Sequence, residues 1–129
     1  MVILEEKQTR DYKLELLDNS VVYLLFNEGC EINLIKAKKL RDEVLKLVKG
    51  KSFKTIIDFR NVSSVTTVET RKFMSNNENF NNLKLCDSFI TNSYTTSMLI
   101  GFYLKIFKPA VVTKSFSTFG DALDWVEKF

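Results

Sequence analysis

The side chains of this chain best placed to do chemistry are hydroxyls, and they gather in two stretches. The first is Ser63-Ser64-Val65-Thr66-Thr67, followed at once by Val68, Glu69 and Arg71. The second is Thr91-Asn92-Ser93-Tyr94-Thr95-Thr96-Ser97. Each follows an apolar run and precedes a helical pattern, so each reads as a strand-to-helix junction. Hydroxyls at such a junction can satisfy the free N–H groups of the helix. They can also accept a phosphoryl group, whose charge suits a helix N-terminus, or help to hold an anion. Thr66 and Glu69 form a capping box, which makes Thr66 the N-cap and Thr67 a first-turn residue. Plain capping is the reading with more weight. Thr67 is the phosphorylation candidate beside it, with Ser63 and Ser64 as the alternatives. Asp58 and Arg60, immediately upstream, read as a pair that orients the turn.

No reaction can be written with these groups. Histidine is absent from the sequence, which removes the commonest general base and metal ligand. Cys30 and Cys86 have neither zinc spacing nor the number of a disulfide framework. Acids beside them (Glu28 and Glu31, and Asp87) disfavour a reactive thiolate. The expectation is a non-enzymatic protein with free thiols, no cofactor and no metal.

Charge excludes further classes. The net value of +3 does not by itself call for a polyanionic partner. Its distribution is uneven: eight bases between Lys36 and Lys54 stand against Asp42 and Glu43, while seven acids up to Glu31 stand against Lys7, Arg10 and Lys13. A solvated basic helix beside an acidic hairpin accounts for this. The lysines lack interleaved aromatics for base stacking, so no nucleic-acid partner is expected. No apolar run is long enough to span a bilayer, and Met1-Val2-Ile3-Leu4 runs directly into Glu5-Glu6, unlike a signal peptide. The expected setting is the reducing cytoplasm, without membrane insertion.

The elements that position the two junctions follow from periodicity. At 129 residues the chain suits one domain, residues 1–129, with its own core. Tyr12, Leu14 and Leu16 alternate with Lys13 and Glu15 over Asp11–Leu17, a strand pattern. Asp18-Asn19-Ser20 turns the chain into Val21–Phe26, completing a hairpin. Asn33 caps a helix in which Ala37, Leu40, Val44, Leu47 and Val48 share a face, and Gly50 stops it. Thr55–Phe59 is short, β-branched and apolar, as a strand covered on both faces should be. A short helix follows the capping box. The asparagines of Ser75–Asn82 then break it, with one extra turn placed around Glu78–Leu83. Lys84–Thr91 is the next strand. Asn92-Ser93 caps Tyr94–Phe107, whose apolar arc is so wide, Met98 included, that it should be largely covered, with Gly101 allowing close approach to the sheet. Ala110–Thr113 is the last strand, and Ser117 caps a final helix with Phe119, Ala122, Leu123, Trp125, Val126 and Phe129 on one side. The order is β-β-α-β-α-β-α-β-α, an α/β fold with a mixed sheet of about five strands flanked by helices. Thr55–Phe59 sits at its centre.

That order, with its central strand running into Asp58-Phe59-Arg60-Asn61-Val62 and an amphipathic helix a few residues on, resembles the STAS domains. These are the anti-sigma-factor antagonists, sulphate-transporter tails and SpoIIAA-like relatives. The family pattern there is aspartate, apolar, small polar, glycine or asparagine, valine, then an aspartate-serine pair opening the helix; Asp58, Asn61 and Val62 fit it. Thr118–Val126 resembles the last helix of such domains through Ala122-Leu123-Asp124-Trp125. The likeness spans residues 11–129 and is nearest to small standalone STAS-like proteins of Bacteroidetes. It implies a regulatory domain that binds another protein. The chain departs from the pattern at the switch: the family's aspartate falls on Thr66, its phosphorylatable serine on Thr67, and the glycine after it is missing.

The expected binding surface is therefore Ser63, Ser64, Thr66, Thr67 and Arg71 together with Ser93 and Thr95, facing a protein partner. The alternative is a small-molecule or lipid module using the same edge, or an apolar pocket between sheet and helices lined by some of the eleven phenylalanines. A homodimer is left open.

Overall fold

The computed structural model describes residues 2–62, 68–75, 82–107 and 110–129. Its elements are β1 (Ile3–Gln8), β2 (Tyr12–Leu17), β3 (Val21–Phe26), α1 (Leu34–Val48), β4 (Phe53–Asp58), α2 (Val68–Ser75), β5 (Lys84–Ile90), α3 (Tyr94–Phe107), β6 (Val112–Phe116) and α4 (Phe119–Val126). The strands form one six-stranded sheet in sequence order, β1 to β6. β1, β2 and β3 pair antiparallel, while β3, β4, β5 and β6 run parallel. The mixed α/β architecture is as expected, with β4 in the interior between two parallel neighbours.

Each face of the sheet has its own core. On one face Tyr12, Leu14, Val22, Leu24, Phe26 and Phe53 meet Leu40, Val44, Leu47 and Val48 of α1. On the other Leu17, Val21, Tyr23, Ile56, Cys86 and Ile90 meet Ala122 and Val126 of α4. The period of two in a strand sends neighbours to opposite faces, so β3, covered on both, is apolar throughout, while β4 buries Lys54, Thr55 and Asp58 among its apolar residues. Each fully buried aliphatic side chain here contributes on the order of 1.5–3 kcal/mol. Cys30 and Cys86 belong to opposite faces and are free and buried.

Local chemistry sets the helix ends. The Asn33 side chain accepts the N–H of Lys36 at 2.9 Å, and α1 ends as Lys49 and Gly50 turn left-handed, at φ 53° and 77°. The segregated charges turn out to face each other across the sheet edge. Lys36 pairs with Asp11 at 3.4 Å, Lys49 with Glu5, and Lys7 with Glu43 at 2.7 Å.

Four expectations are corrected. The sheet has a sixth strand, β1, whose residues are mostly exposed; an edge strand wet on both sides shows no alternation to read. β6 is Val112–Phe116 rather than Ala110–Thr113, because Phe116 is drawn in beside Ile90 and the Trp125 ring. That extension moves the cap of α4 from Ser117 to Thr118, whose hydroxyl accepts the N–H of Asp121 at 3.2 Å. In α3, Met98 and Gly101 are exposed, and a Cβ added at Gly101 would meet nothing within 4 Å. That part of the helix is uncovered and makes no close approach. The extra turn expected at Glu78–Leu83 falls mainly outside the described residues.

Candidate functional site at the carboxyl edge of the sheet

Because β4 and β5 are parallel neighbours, the junctions that follow them emerge side by side at the carboxyl edge. Ser63, Ser64, Thr66 and Thr67 lie outside the described residues. Arg71 is in α2 and Thr95 in the first turn of α3. The Ser93 hydroxyl accepts the N–H of Thr96 at 3.3 Å, and its carbonyl takes the first helical bond from Ser97 at 2.9 Å. Ser93 is thus the N-cap of α3, which is the structural role weighed for it above.

The best-defined group at this edge is Asp58, the last residue of β4, which is fully buried. Its Oδ1 accepts the backbone N–H and Nε of Arg60, both at 3.0 Å. Its Oδ2 accepts the Tyr23 hydroxyl at 2.6 Å, Arg60 Nη2 at 2.7 Å and Nε at 3.1 Å. Tyr23 reaches it because the parallel register sets Tyr23 beside Ile56, one pleat repeat before Asp58. Burial pushes this carboxyl towards protonation, but the hydrogen bonds from Arg60 and Tyr23 outweigh it and hold Asp58 below its ordinary value. The same contact raises Arg60, chiefly through its hydrogen bond to Asp58, and the Tyr23 phenol is raised by burial first and by Asp58 next.

The arrangement cannot relay protons, because every lone pair of Asp58 that faces Arg60 and Tyr23 is engaged and the residue sees no solvent. What it can do is fix a cation. Arg60 lies in a short turn where Val62 N–H donates to Phe59 carbonyl at 3.0 Å, and its side chain remains 40% exposed. The guanidinium is held by one edge and open on the other. Phe26, Phe59 and Phe89 form a row of rings, with centroids 5.6 and 5.5 Å apart. Phe26 belongs to the core on the α1 face, and Phe59 packs against that core partly buried.

Exposed apolar side chains stand at the same edge. Tyr94 is 81% and Met98 58% exposed, one turn apart on α3. Ile35, in the first turn of α1, is likewise exposed. Pairing of Asp58 with Ile90 places Arg60 two residues, and Tyr94 four residues, beyond the same rung of the sheet. Neither Tyr94 nor Ile35 stands out in the sequence, since each sits in the first turn of a helix whose later turns are the apolar ones.

At the other end of the β4–β5 pair a second polar group is enclosed. Asp87 accepts the Thr55 hydroxyl and pairs with Lys84 at 2.8 Å, the two side chains being 5% and 3% exposed. Ser88 closes the pair by donating to the Thr55 carbonyl at 2.9 Å. Thr55, Lys84 and Asp87 border a cavity of about 40 Å³ between sheet and α1, otherwise lined by Val22, Leu24, Ala37, Leu40, Val44, Phe53 and Ile57. That is room for one or two water molecules, and its lining holds one phenylalanine. No group of three or more metal-ligating residues occurs among the described residues, and no helix among them is long and apolar enough to cross a membrane. Burial raises both thiols, that of Cys86 to about 11 with Asp87 adding to the effect, and that of Cys30 with help from Asp11.

The architecture is that of a SpoIIAA-like fold. A crystal structure of an uncharacterized protein of the DUF3478 family from Shewanella loihica PV-4, described as SpoIIAA-like, superposes with a TM-score of 0.60 at 10% identity, over 94% of this chain and 90% of that one. At that identity the likeness is one of fold. By sequence, residues 14–129 match the model of DUF7793, a domain of unknown function, and the chain belongs to that family. No curated protein matches it.

Proposed function

We propose that this chain is a STAS-like, non-enzymatic protein-interaction module that docks its partner at the carboxyl edge of the sheet. One observation favours the reading above others: the exposed Tyr94–Met98 pair and an arginine fixed from below by Asp58 follow the same rung at the carboxyl edge. Tyr and Arg are the residue types that dominate binding energy at protein interfaces, and they do so when held in place beforehand. The hydroxyl-rich stretch Ser63–Thr67, outside the described residues, immediately precedes α2 in the sequence. Phosphorylation of Thr67 would add a charge there that suits the helix end but opposes a docked partner. The small-molecule alternative gains nothing from the cavity beside Asp87, which is too small for a lipid.

The test is affinity purification from the native cell with three baits, the parent, Tyr94→Ala and Thr67→Glu, with phosphosite mapping of the recovered protein. A specific partner retained by the parent and lost by both variants, each folded as shown by its melt, supports the reading. Equal recovery by all three baits overturns it.

A further inference from the structure

The face of the sheet that carries α4 also carries a pair of facing carboxylates. Antiparallel register sets Glu6 of β1 directly opposite Glu15 of β2, an arrangement in which two like charges are unfavourable. Glu15 is only 7% exposed, so water screens the repulsion poorly. The groups around it are few. Lys13, on its own strand, reaches it only at 3.9 Å and also lies over the Tyr23 ring, 5.9 Å from its centroid. Tyr23, opposite Glu15 on β3, gives its hydroxyl to Asp58. On β1, Gln8 donates to Glu6 at 3.1 Å. Lys13 and Glu6 are the charges that act on Glu15. One distant cation thus faces two carboxylates, unlike Asp58 with its full set of donors.

We propose that Glu15 keeps a proton when it faces the charge of Glu6, and that this proton sets how firmly the edge strand β1 is held to the sheet. Burial raises Glu15 above its ordinary value of 4.5, Lys13 opposes, and the charge and carboxyl–carboxyl hydrogen bond of Glu6 raise it further. The sign follows from linkage. Well below pH 4.5 Glu15 is protonated whether β1 is docked or detached. As pH rises from there through the folded value, only the docked form keeps the proton, and attachment weakens until Glu15 is ionised in both forms. Each pH unit of that window weakens the hold by up to tenfold. On the opposite face Lys7–Glu43 and Glu5–Lys49 tether the same strand to α1, so β1 is a strap with fixed anchors on one side and a proton-dependent one on the other.

The experiment uses the full chain. Carboxyl-detected NMR titration follows Glu15, and hydrogen exchange, corrected for intrinsic rate, follows Ile3–Gln8 from pH 4 to 8. In the parent, Glu15 should titrate above 4.5, and the protection of Ile3–Gln8 should fall as pH rises across the window. In Glu6→Gln, exposed and safe for folding, Glu15 should titrate lower and the fall in protection should shrink. Glu15→Gln, if it folds, should abolish the fall. Glu15 titrating at or below 4.5 in the parent, or unmoved by Glu6→Gln, overturns the proposal.

Discussion

The two acid–cation clusters on β4 and β5 use similar parts to opposite ends. Lys84, Asp87 and Thr55 lie on the α1 face and are buried together. Asp58, Tyr23 and Arg60 lie on the α4 face at the carboxyl edge, with the acid buried and the guanidinium partly in solvent. The closed cluster can only hold the strands in register. The open one holds a cation out towards whatever approaches the edge. An ion pair's use therefore depends less on its geometry than on which partner can reach water.

Mutants can break or sharpen this contrast. The largest effect should come from Asp87→Ala, which removes the carboxylate paired with the buried Lys84 and should cost roughly 3–5 kcal/mol. The double replacement Lys84→Met with Asp87→Leu should recover most of that loss, because no charge is left without water. Urea melts of the three proteins decide the point, and a double variant as unstable as the single one would show that the cluster does more than bridge strands. Asp58→Ala should cost less, about 2–3 kcal/mol, since Arg60 can turn to water while Tyr23 loses its acceptor.

The open cluster also carries a pH signature. Asp58 is held below its ordinary 3.8, so its contribution is complete above that value and is lost as pH falls through the folded one. Arg60→Ala leaves burial opposed by far fewer donors. The stability gap between parent and Arg60→Ala should therefore be full near neutral pH and narrow as the solution is acidified through the folded values of Asp58 in the two proteins. Melts at a series of pH values measure it, and a gap independent of pH would assign Arg60 a packing role alone.

The smallest change in stability belongs to Tyr94→Ala, expected within about 0.5 kcal/mol because the ring lies in solvent. The same substitution should abolish partner recovery if the edge is a docking surface. Thr66→Ala tests the capping expected from the sequence, and the loss of an N-cap there should cost about 1 kcal/mol in a thermal melt. Non-reducing mass spectrometry should find Cys30 and Cys86 unbridged, since the sheet stands between them.

The amino-acid sequence by itself determined the elements that are buried, because burial imposes a period. β2, β3, β4 and α1 are legible in their apolar spacing, and Asn33 in its cap chemistry. β1 was not, since a strand exposed on both faces is under no such constraint and is held by its ladder to β2 and by charges on α1. The exposure of Met98 was not, because an apolar residue reads the same whether or not a neighbour covers it. At the site, Asp58 and Arg60 could be matched as a pair from two residues of separation, but Tyr23 needed the parallel register that sets it beside Ile56. Lys84 and Asp87 needed more. Three residues apart on a regular strand they would point to opposite faces. The shift between the Phe53–Lys84 and Lys54–Cys86 pairs inserts Leu85 as a bulge, which turns Lys84 onto the face of Asp87. Local spacing is written in the chain, but which distant residues share a rung, and which side of it meets water, is decided only when the strands pair.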